Sequence, residues 1–398
     1  MGLLIGNIAN TILPARVKQA VYEDIPMYGV KFPNNSTVGI RTYDAAVLNW
    51  SRSSNSDAGI DDFKNLAPFN VKEVCRVWNG TTASYLYKTN YSDAEWQTIR
   101  NGTHPSIDGD IMIEVPEFWY RRVDTGDGLE VIVAPEYKAG FTPDPWHYEK
   151  GVHHQNRYIS KYPIGSGYKS RSGIGLQVNT NMNTFRTNLR TKGLNMISAP
   201  AWYSLVTLML VKYASTDVQA TVSYGWGSGS TIHTTGSADN VLGLDGSATS
   251  VSTNEGALTF GIESFYGDCW KYIDGCFLYD NVIYLKDVED VTSDPTSLAD
   301  LQASYTQVAT PVSVTGGSKS LITSIANDTT YDWLFHPSNT SGSSKTIVCN
   351  DNFSSNTGLR LLILGGGAWS GSASGLFCCD SGRAVGVIDV DSGTLAVC

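Results

Sequence analysis

Short segments with alternating apolar and polar residues predict β-hairpins in the first third of the chain. The segments MYGVKF and STVGIRTYD flank the turn PNNS, and VKEVCRVWNGTTASYLYK predicts a second hairpin that turns at Asn79-Gly80. The segments DGDIMIEVPEFWYRRV and GLEVIVAPEY, on either side of DTGDG, predict a third pair of strands. Because proline cannot donate a ladder hydrogen bond, Pro116 places its strand near an edge or a bulge.

Helical spacing of apolar residues predicts two helices in the middle of the chain, near 183–192 and 200–214. The first has basic residues in its last turn and Gly193 as a stop signal. The second has an apolar face of the kind that usually packs in a core rather than around a cofactor. Its predicted core face consists of Trp202, Leu205, Val206, Met209 and possibly Tyr213.

The second half of the chain alternates polar stretches with apolar ones. Residues 215–260 are rich in Gly, Ser and Thr, which predicts a long surface excursion with short strands. The aromatic-dense segment FGIESFYGDCWKYIDGCFLY is expected in the core, and a polar loop region over 285–345 precedes a glycine-rich tail. The order of these segments favours a single β-rich unit with long loops.

Composition supports this fold class and excludes several functions. Of the 398 residues, 41% are hydrophobic, 17% are charged and 39 are glycine, which suits a loop-rich β protein with a sizeable core. The net charge of −10 argues against nucleic-acid binding, because phosphate recognition needs a basic face. The start of the chain has no basic segment followed by an apolar one, so we expect no signal peptide, and no apolar run is long enough for membrane insertion.

The sequence contains no catalytic or metal-binding constellation. His147, His153 and His154 lie close together, but in a stretch that reads as an exposed loop without partner ligands. Asp389 and Asp391 match part of a calcium loop whose other ligands are missing. We therefore expect no catalytic residue, no metal and no cofactor for ligand binding.

Two C-terminal motifs resemble a known family. GIESFYGDCWKYIDG and LRLLILGGGAWSGSASGLF are similar to the last two motifs of C-type lectin domains of the formylglycine-generating-enzyme type. Together with Met27–Lys31, Asp110–Tyr120, Thr184–Leu189 and Leu205–Tyr213, they resemble the variable proteins of diversity-generating retroelements and phage tail-tip receptor-binding proteins. The resemblance implies an α+β, C-type lectin-like fold over about 27–398, β-rich with two helices and long loops.

The resemblance has two departures. The asparagine-rich terminus of the family is replaced by DVDSGTLAV, which keeps only Gly393 and Leu395. The functional cysteine pair of the formylglycine-generating enzymes has no counterpart, so that activity is not implied. Residues 1–26 precede the resemblance and are expected to form a leader for virion attachment or oligomer contact.

The residue types of the tail, Leu361 to Cys398, match those that retroelement diversification leaves behind. In such families a reverse transcriptase rewrites the adenines of AAY codons into NNY, which cannot encode Lys, Glu, Gln, Met or Trp. The tail lacks the first four and has one tryptophan, Trp369, while it holds three of the seven cysteines, a type that NNY does encode. An adenine-rich copy of this coding region beside a reverse-transcriptase gene would establish the mechanism.

The tail is therefore divided into a variable face and a scaffold, with the candidate variable region over about 365–398. The residues expected to face solvent and bind ligand are Ser370, Ser372, Ser374, Cys378, Cys379, Asp380, Ser381, Arg383, Val385, Val387, Asp389, Val390 and Asp391. The expected scaffold residues are Gly366, Gly367, Trp369, Phe377 and Trp270, with both tryptophans buried. On this division the Cys378 and Cys379 thiols would react in the native protein.

The function expected from the resemblance is receptor binding by a virion tail protein that is assembled in the host cytoplasm. Its partners would be a bacterial surface protein or glycan and other tail proteins. Oligomerisation is expected because weak contacts gain from multivalency, and the resemblance implies a homotrimer. Two alternatives stay open, namely an enzyme of the formylglycine-generating or sugar-active type, and a structural tail protein that is not diversified. An enzyme would require a cleft with perturbed titratable groups.

Overall fold

The computed structural model describes residues 25–229, 231–314, 320–326, 328–341 and 351–398. Only Ile25 and Pro26 of the expected leader, 1–26, belong to this part, so the prediction for the leader lies outside the described residues. The region expected as polar loop, 285–345, is described in part.

The described residues form five α-helices and 25 mostly short strands. The helices are α1 (Asp93–Arg100), α2 (Met182–Arg190), α3 (Ala199–Tyr213), α4 (Val218–Thr221) and α5 (Leu298–Ser304). The first eleven strands are β1 (Tyr28–Pro33), β2 (Ile40–Tyr43), β3 (Lys72–Trp78), β4 (Ala83–Tyr87), β5 (Asp110–Pro116), β6 (Trp119–Asp124), β7 (Gly128–Ala134), β8 (Thr142–Pro143), β9 (Tyr148–Glu149), β10 (Val152–His153) and β11 (Asn156–Ser160).

The strands after α2 are β12 (Asn195–Met196), β13 (Leu258–Thr259), β14 (Ile262–Glu263), β15 (Trp270–Tyr279), β16 (Val282–Leu285), β17 (Thr306–Gln307), β18 (Ser313–Val314), β19 (Ser320–Ile325), β20 (Pro337–Ser341), β21 (Asn352–Ser354), β22 (Leu359–Leu364), β23 (Cys379–Asp380), β24 (Ser392–Gly393) and β25 (Ala396–Val397). Three larger sheets contain most of them. No described helix is long and apolar enough to cross a membrane.

The predicted N-terminal hairpins are confirmed. β1 pairs with β2 in antiparallel register from Tyr28 opposite Tyr43, and β3 pairs with β4 in the same way. The turn between β3 and β4 is closed by the Asn79 side chain, which accepts hydrogen bonds from the backbone N–H groups of Thr81 and Thr82. Gly80 has φ +98°, a conformation that glycine adopts without a steric penalty.

The strand predicted across Pro116 is divided between two sheets. β5 belongs to the six-stranded sheet, in the order β12-β25-β11-β5-β3-β4, whereas β6 belongs to the five-stranded sheet, in the order β2-β1-β7-β6-β8. Pro116 ends β5, and the next residue, Glu117, donates its backbone N–H to the carbonyl of Gln155. The predicted pairing of GLEVIVAPEY with FWYRRV is confirmed as β6–β7, and the break lies at the proline because it cannot extend the ladder.

Both predicted helices are confirmed, and α3 is more deeply buried than its sequence pattern indicated. Every residue of α3 except Pro200 is buried, including Ser204, Thr207 and Lys212, which were not on the predicted core face. It packs against β1 and β7 of one sheet and against β15 of the large C-terminal sheet. A helix enclosed by two sheets has no solvent face, which explains why its apolar residues surround it rather than forming one stripe.

The shorter helix α2 is held by a capped N-terminus and a buried ion pair. The Asn181 side chain accepts a hydrogen bond from the backbone N–H of Thr184 at 2.8 Å. On the buried side, the Arg186 guanidinium donates to Asp274 of β15 and to Asp294, each at 2.7 Å. The buried guanidinium and its two carboxylate partners satisfy each other's hydrogen bonds. This contact therefore fixes the position of α2 against the sheet.

The C-terminal tail is an integral part of the fold, as expected. β22 pairs antiparallel with β15, β24 pairs parallel with β15, and β25 pairs with β11 and β12. The tail thus completes two sheets, one of which begins in the N-terminal hairpins. The described residues have the expected α+β architecture, β-rich with long loops, and they contain α1, α4 and α5 in addition to the two expected helices.

The expected burial of both tail-associated tryptophans is wrong. Trp369 is 49% exposed, and Trp270 is only half-buried against the smaller core. Trp369 lies within the turn Gly367–Ser370, which Ser370 closes by donating its backbone N–H to the carbonyl of Gly367, beyond the end of β22. The excursion over 215–260 has the expected short elements, yet it contributes Ala238 and Val241 to a small core of its own.

Two tryptophans provide a matched test of this core. Trp202 is fully buried, stacks on Phe265 with 4.0 Å between ring centroids and donates its Nε1–H to the carbonyl of Leu376. We expect Trp202→Ala to lower the free energy of unfolding by about 3–5 kcal/mol, and Trp369→Ala, at an exposed site, by about 0.5 kcal/mol or less. Urea unfolding of both variants measures this, and equal losses would contradict the assignment of the two sites.

Candidate ligand-binding face

Tight glycine contacts set the path of the tail after β22. Gly366 has φ +79°, and a Cβ atom there would lie 2.9 Å from the Cα of Ser374. A Cβ atom on Gly367 would lie 3.0 Å from Cδ1 of Trp270. The expected scaffold role of both glycines is therefore supported, because a side chain at either position would push the tail away from its supports.

A buried carboxylate anchors the next part of the tail. Asp351 is buried, and it accepts a hydrogen bond at 2.7 Å from the backbone N–H of Phe377. Phe377 is itself buried, as expected, and its ring packs edge-to-face on Phe335 with 6.3 Å between centroids. Burial raises the pKa of Asp351 to about 8, since few partners compensate the loss of water around the charge.

Five residues of the predicted variable face do not face solvent. Ser374, Cys378, Cys379, Asp380 and Ser381 are buried. Cys379 and Asp380 form β23, which lies between β21 and β22 in the large sheet. Ser374 is covered by the turn at Gly366, and the carbonyl of Cys378 accepts a hydrogen bond from Gly365. The expectation of exposure failed because this polar, cysteine-containing run packs around a two-residue strand inside the large sheet rather than on the surface.

The remaining predicted residues are at least partly accessible. Ser372 and Val390 are exposed, whereas Ser370, Arg383, Val385, Val387, Asp389 and Asp391 are half-buried. Arg383 forms ion pairs with Asp389 and with Asp391, the latter at 3.2 Å. These ion pairs bring the two ends of the segment 383–391 together. The two carboxylates that match part of a calcium loop therefore have the Arg383 guanidinium as their partner.

Two exposed residues were missed as members of the face. Trp369 was assigned to the scaffold, and Ile388, which is 62% exposed, was not selected at all. Since NNY codons include those of isoleucine, the same residue-type argument that selected Val387 and Val390 would have selected Ile388. Trp369, Ile388 and Val390, the last of which is 61% exposed, are three of the ten large hydrophobic side chains that are exposed in the described part of the chain.

Trp270 brings the two segments of the face together. Its backbone N–H donates to the carbonyl of Asp391 at 2.9 Å, and the preceding turn residue, Asp268, accepts from the N–H of Ala368. Trp369 is therefore the sequence neighbour of Ala368, and Val390 is the neighbour of Asp391. The backbones of Ala368 and Asp391 are both hydrogen-bonded beside Trp270. We define the tail face as Trp270, Trp369, Ser370, Ser372, Arg383, Val385, Val387, Ile388, Asp389, Val390 and Asp391.

Two of the three histidines of the 147–154 segment, His147 and His153, have structural partners. His147 is buried, with Nδ1 at 2.6 Å from Asp144 and Nε2 at 3.0 Å from the carbonyl of Val115. His153 pairs with Glu117. Among the described residues, no group of three or more His, Cys, Asp or Glu side chains is arranged to hold a metal ion.

The Asp351 carboxyl makes the stability of the tail pH-dependent. Its pKa is raised from 3.8 to about 8 by burial, so the folded state binds its proton more tightly than the unfolded state. The contribution of Asp351 to the free energy of unfolding therefore falls as the pH rises from about 4 to about 8, and it is constant above that range. We expect Asp351→Asn, which keeps the acceptor for Phe377, to remove this dependence and to stabilise the protein above pH 8 by a few kcal/mol. Thermal melts between pH 4 and 9 measure the effect. A decline that persists unchanged in the variant would show that other groups cause it.

The Cys378 and Cys379 thiols should resist alkylation in the native protein, contrary to the expectation from the sequence. Both are buried, and burial raises their pKa well above the usual value, so little thiolate is present or accessible. Iodoacetamide labelling at pH 8, followed by peptide mapping, should modify them only after denaturation. Labelling in the folded state at the rate of the denatured state would place β23 outside the sheet.

Comparison with known proteins gives a limited result. No protein-family model matches the chain, and no curated protein matches it. Among solved structures, the U1 variant of Major Tropism Determinant is similar with a TM-score of 0.29 and 11% identity, over 82% of this chain and 71% of that chain. The M1 variant of the same protein gives a TM-score of 0.30 and 10% identity over the same shares. The chain is thus similar to these two structures at a low level and matches no family model.

Proposed function

We propose that the protein is a receptor-binding component of a phage tail that binds a bacterial surface protein or glycan through the tail face. The observation that carries the proposal is the exposure of Trp369, Ile388 and Val390 beside a buried framework. Exposed apolar side chains that are rimmed by polar ones are typical of interaction surfaces. Here the rim consists of Ser370, Ser372 and the Arg383 ion-pair cluster.

The division of the tail into fixed and variable parts is revised by the burial pattern. Trp369 cannot arise from an NNY codon, so we propose that it is an invariant anchor of the face, with the variable positions around it. Tryptophan is the residue type most enriched at energetic centres of interfaces, where surrounding residues tune the fit. A fixed aromatic anchor with adaptable polar neighbours is also how antibody binding sites are composed.

The partners and location follow from the same proposal. A homotrimer displays three copies of the face and converts weak single contacts into stable attachment. The protein would reside in the virion, at the tail tip or fibre, and its net charge of −10 does not favour nucleic-acid binding, which needs a basic face. Residues 1–26 remain the proposed attachment or oligomer segment.

A groove with aromatic and carboxylate side chains could support the sugar-active alternative, but the geometry of its carboxylates does not favour catalysis. A groove of about 440 Å³ contains Tyr148, Trp333, Glu149 and Asp287. Burial, followed by a hydrogen bond to Asp287, raises the pKa of Glu149 to about 8. Glycosidases keep their two carboxyl groups about 5–9.5 Å apart to hold the sugar between them. Glu149 and Asp287 are in direct hydrogen-bond contact instead, and Glu149 also pairs with Arg157 at 2.6 Å.

Binding of the purified, fluorescently labelled protein to a panel of bacterial isolates tests the proposal. On a strain that binds the wild type, Trp369→Ala should weaken binding about tenfold or more, because truncation of a central anchor commonly costs more than 1.4 kcal/mol. Val390→Ala and Ser372→Ala should weaken or redirect binding across the panel while the melting temperature stays nearly unchanged.

Val47→Ala is the matched control for Val390→Ala, because Val47 is 80% exposed and lies beside the first sheet, outside the tail face. It should leave binding unchanged. If Val47→Ala abolished binding while the three face variants bound fully, the receptor site would lie outside the tail face.

A further inference from the structure

A lysine amine is enclosed between two carboxylates at the C-terminal turn of α3. The Lys212 side chain is fully buried, and its Nζ lies 2.7 Å from Oδ2 of Asp61 and 2.8 Å from Oδ2 of Asp245. Asp61 comes from the segment before β3, and Asp245 comes from the 215–260 excursion. Three distant parts of the chain therefore meet at one amine.

Aromatic rings flank this cluster at the Lys212 and Asp245 side chains, whereas the Asp61 side chain remains 15% exposed. Lys212 Nζ lies 4.7 Å from the centroid of the Phe260 ring. The rings of Trp50 and Tyr213 are 4.7 Å apart, and both donate to Asp245, through Nε1 and the hydroxyl respectively. Charge separation is costly in such a setting, so the neutral amine and neutral carboxylic acid become accessible relative to the ion pair.

The two carboxylates differ in how they are held. Asp245 accepts hydrogen bonds at Oδ1 from the Tyr213 hydroxyl and the Phe260 backbone N–H, and at Oδ2 from Trp50 and Lys212. Asp61 is held by fewer groups, namely the Lys212 amine at Oδ2 and the backbone N–H of Phe63. Burial raises the pKa of Asp61, although the Lys212 charge opposes the shift. Asp61, with fewer hydrogen-bond donors and a pKa raised by burial, is therefore the carboxyl that we assign as the proton acceptor.

We propose that Lys212 and Asp61 join covalently as an intramolecular isopeptide bond, with Asp245 as the proton-transfer group. The Lys212 ammonium gives one proton to Asp61, and the free amine lone pair attacks Cγ of the protonated carboxyl. Asp245 takes a proton from the attacking nitrogen and passes it to the departing hydroxyl. One C–N bond forms, one C–O bond breaks and one water leaves, so the step needs no oxidant, activating group or cofactor.

The fold supplies the two conditions that amide formation in water lacks. First, the reacting groups are fixed in contact, which in favourable cases is equivalent to a reactant concentration of about 10⁵ M or more. Second, a cavity of about 270 Å³ is lined by Asp61, Gly59 and Gly261, which gives the released water a path out of the cluster. The aromatic enclosure then limits the return of water for hydrolysis.

The bond would close a loop of considerable length. Residues 61 and 212 are 151 positions apart, so the link would enclose the β3–β4 hairpin, α1, α2 and most of α3. A crosslink over so long a loop restricts the unfolded chain strongly and resists mechanical or proteolytic opening. Such resistance is useful to a surface-exposed protein whichever ligand it binds, so the inference does not depend on the proposed receptor.

The mass of the full-length wild-type protein under denaturing conditions tests the inference directly. We expect a mass lower by one water than the sequence requires, and a branched tryptic peptide that joins the Asp61 and Lys212 peptides. A full sequence mass, with the two peptides recovered separately, would overturn the proposal and leave an ordinary buried ion pair. This measurement needs no variant to fold.

Two variants identify the participants. Asp61→Asn can form the same amide by losing ammonia, so its crosslinked mass should equal that of the crosslinked wild type although the uncrosslinked masses differ. Asp245→Ala keeps both joined residues and should give the full, uncrosslinked mass. Crosslinking at the wild-type level in Asp245→Ala would overturn the role given to Asp245.

The chain contains its own control for burial alone. Lys161 and Glu73 form another buried pair, at 3.1 Å. Glu73, however, is also held by the Arg100 guanidinium and Trp96 Nε1, and despite its burial its pKa is lowered by Lys161 and Arg100. This carboxylate stays ionised and is a poor acceptor for an amine, so the peptides with Lys161 and Glu73 should remain separate. A link there as well would show that the crosslink reflects proximity rather than the Asp61 environment.

Discussion

The enclosure of α3 on every side is the constraint on which the rest of the structure depends. A helix that packs against one sheet needs one apolar stripe, but α3 lies between the N-terminal sheet and the large C-terminal sheet. The C-terminal tail supplies part of the cover: Trp202 donates to the carbonyl of Leu376, and Gly365 passes so close that its Cβ would lie 3.1 Å from the Trp202 ring. The position of the tail is therefore set by the core helix, before any ligand is considered.

Polar groups on a fully enclosed helix must find partners inside the protein, and these partners explain several charged residues. The Ser204 hydroxyl donates to Asp144 at 2.5 Å, and Asp144 in turn pairs with the buried His147. Lys212 finds Asp61 and Asp245 in the same way. His147 is thus part of the support of α3, which its sequence context as an apparent loop histidine did not reveal. An unpaired polar group at any of these sites would cost about 1–3 kcal/mol.

Features with local causes were predictable from the sequence, and features with distant causes were not. The hairpin at Asn79-Gly80 and the helix before Gly193 follow from turn and cap residues within a few positions, and both lie where the pattern placed them. Pro116 predicted an edge or a bulge but not a change of sheet, because the partners of β5, β3 and β11, lie outside the predicted strand pair. The burial of Cys379 depends on β21 and β22, which flank it from both sides, and β21 lies before the tail, where no pattern within the tail records it.

The burial pattern also limits how far the tail can vary. Any residue substituted at Cys378 or Cys379 must fit between two strands of a packed sheet, where changes of volume destabilise by about 1–3 kcal/mol or more. Substitutions at Ser372, Ile388 or Val390 meet solvent and leave the core unchanged. If the tail is diversified, selection for folding therefore confines the tolerated changes to 369–372 and 383–391, on either side of the strand at 379–380. The face then consists of two short variable segments around Trp369 and Trp270, and Asp351 and the glycine turn keep both in place whatever residues they carry.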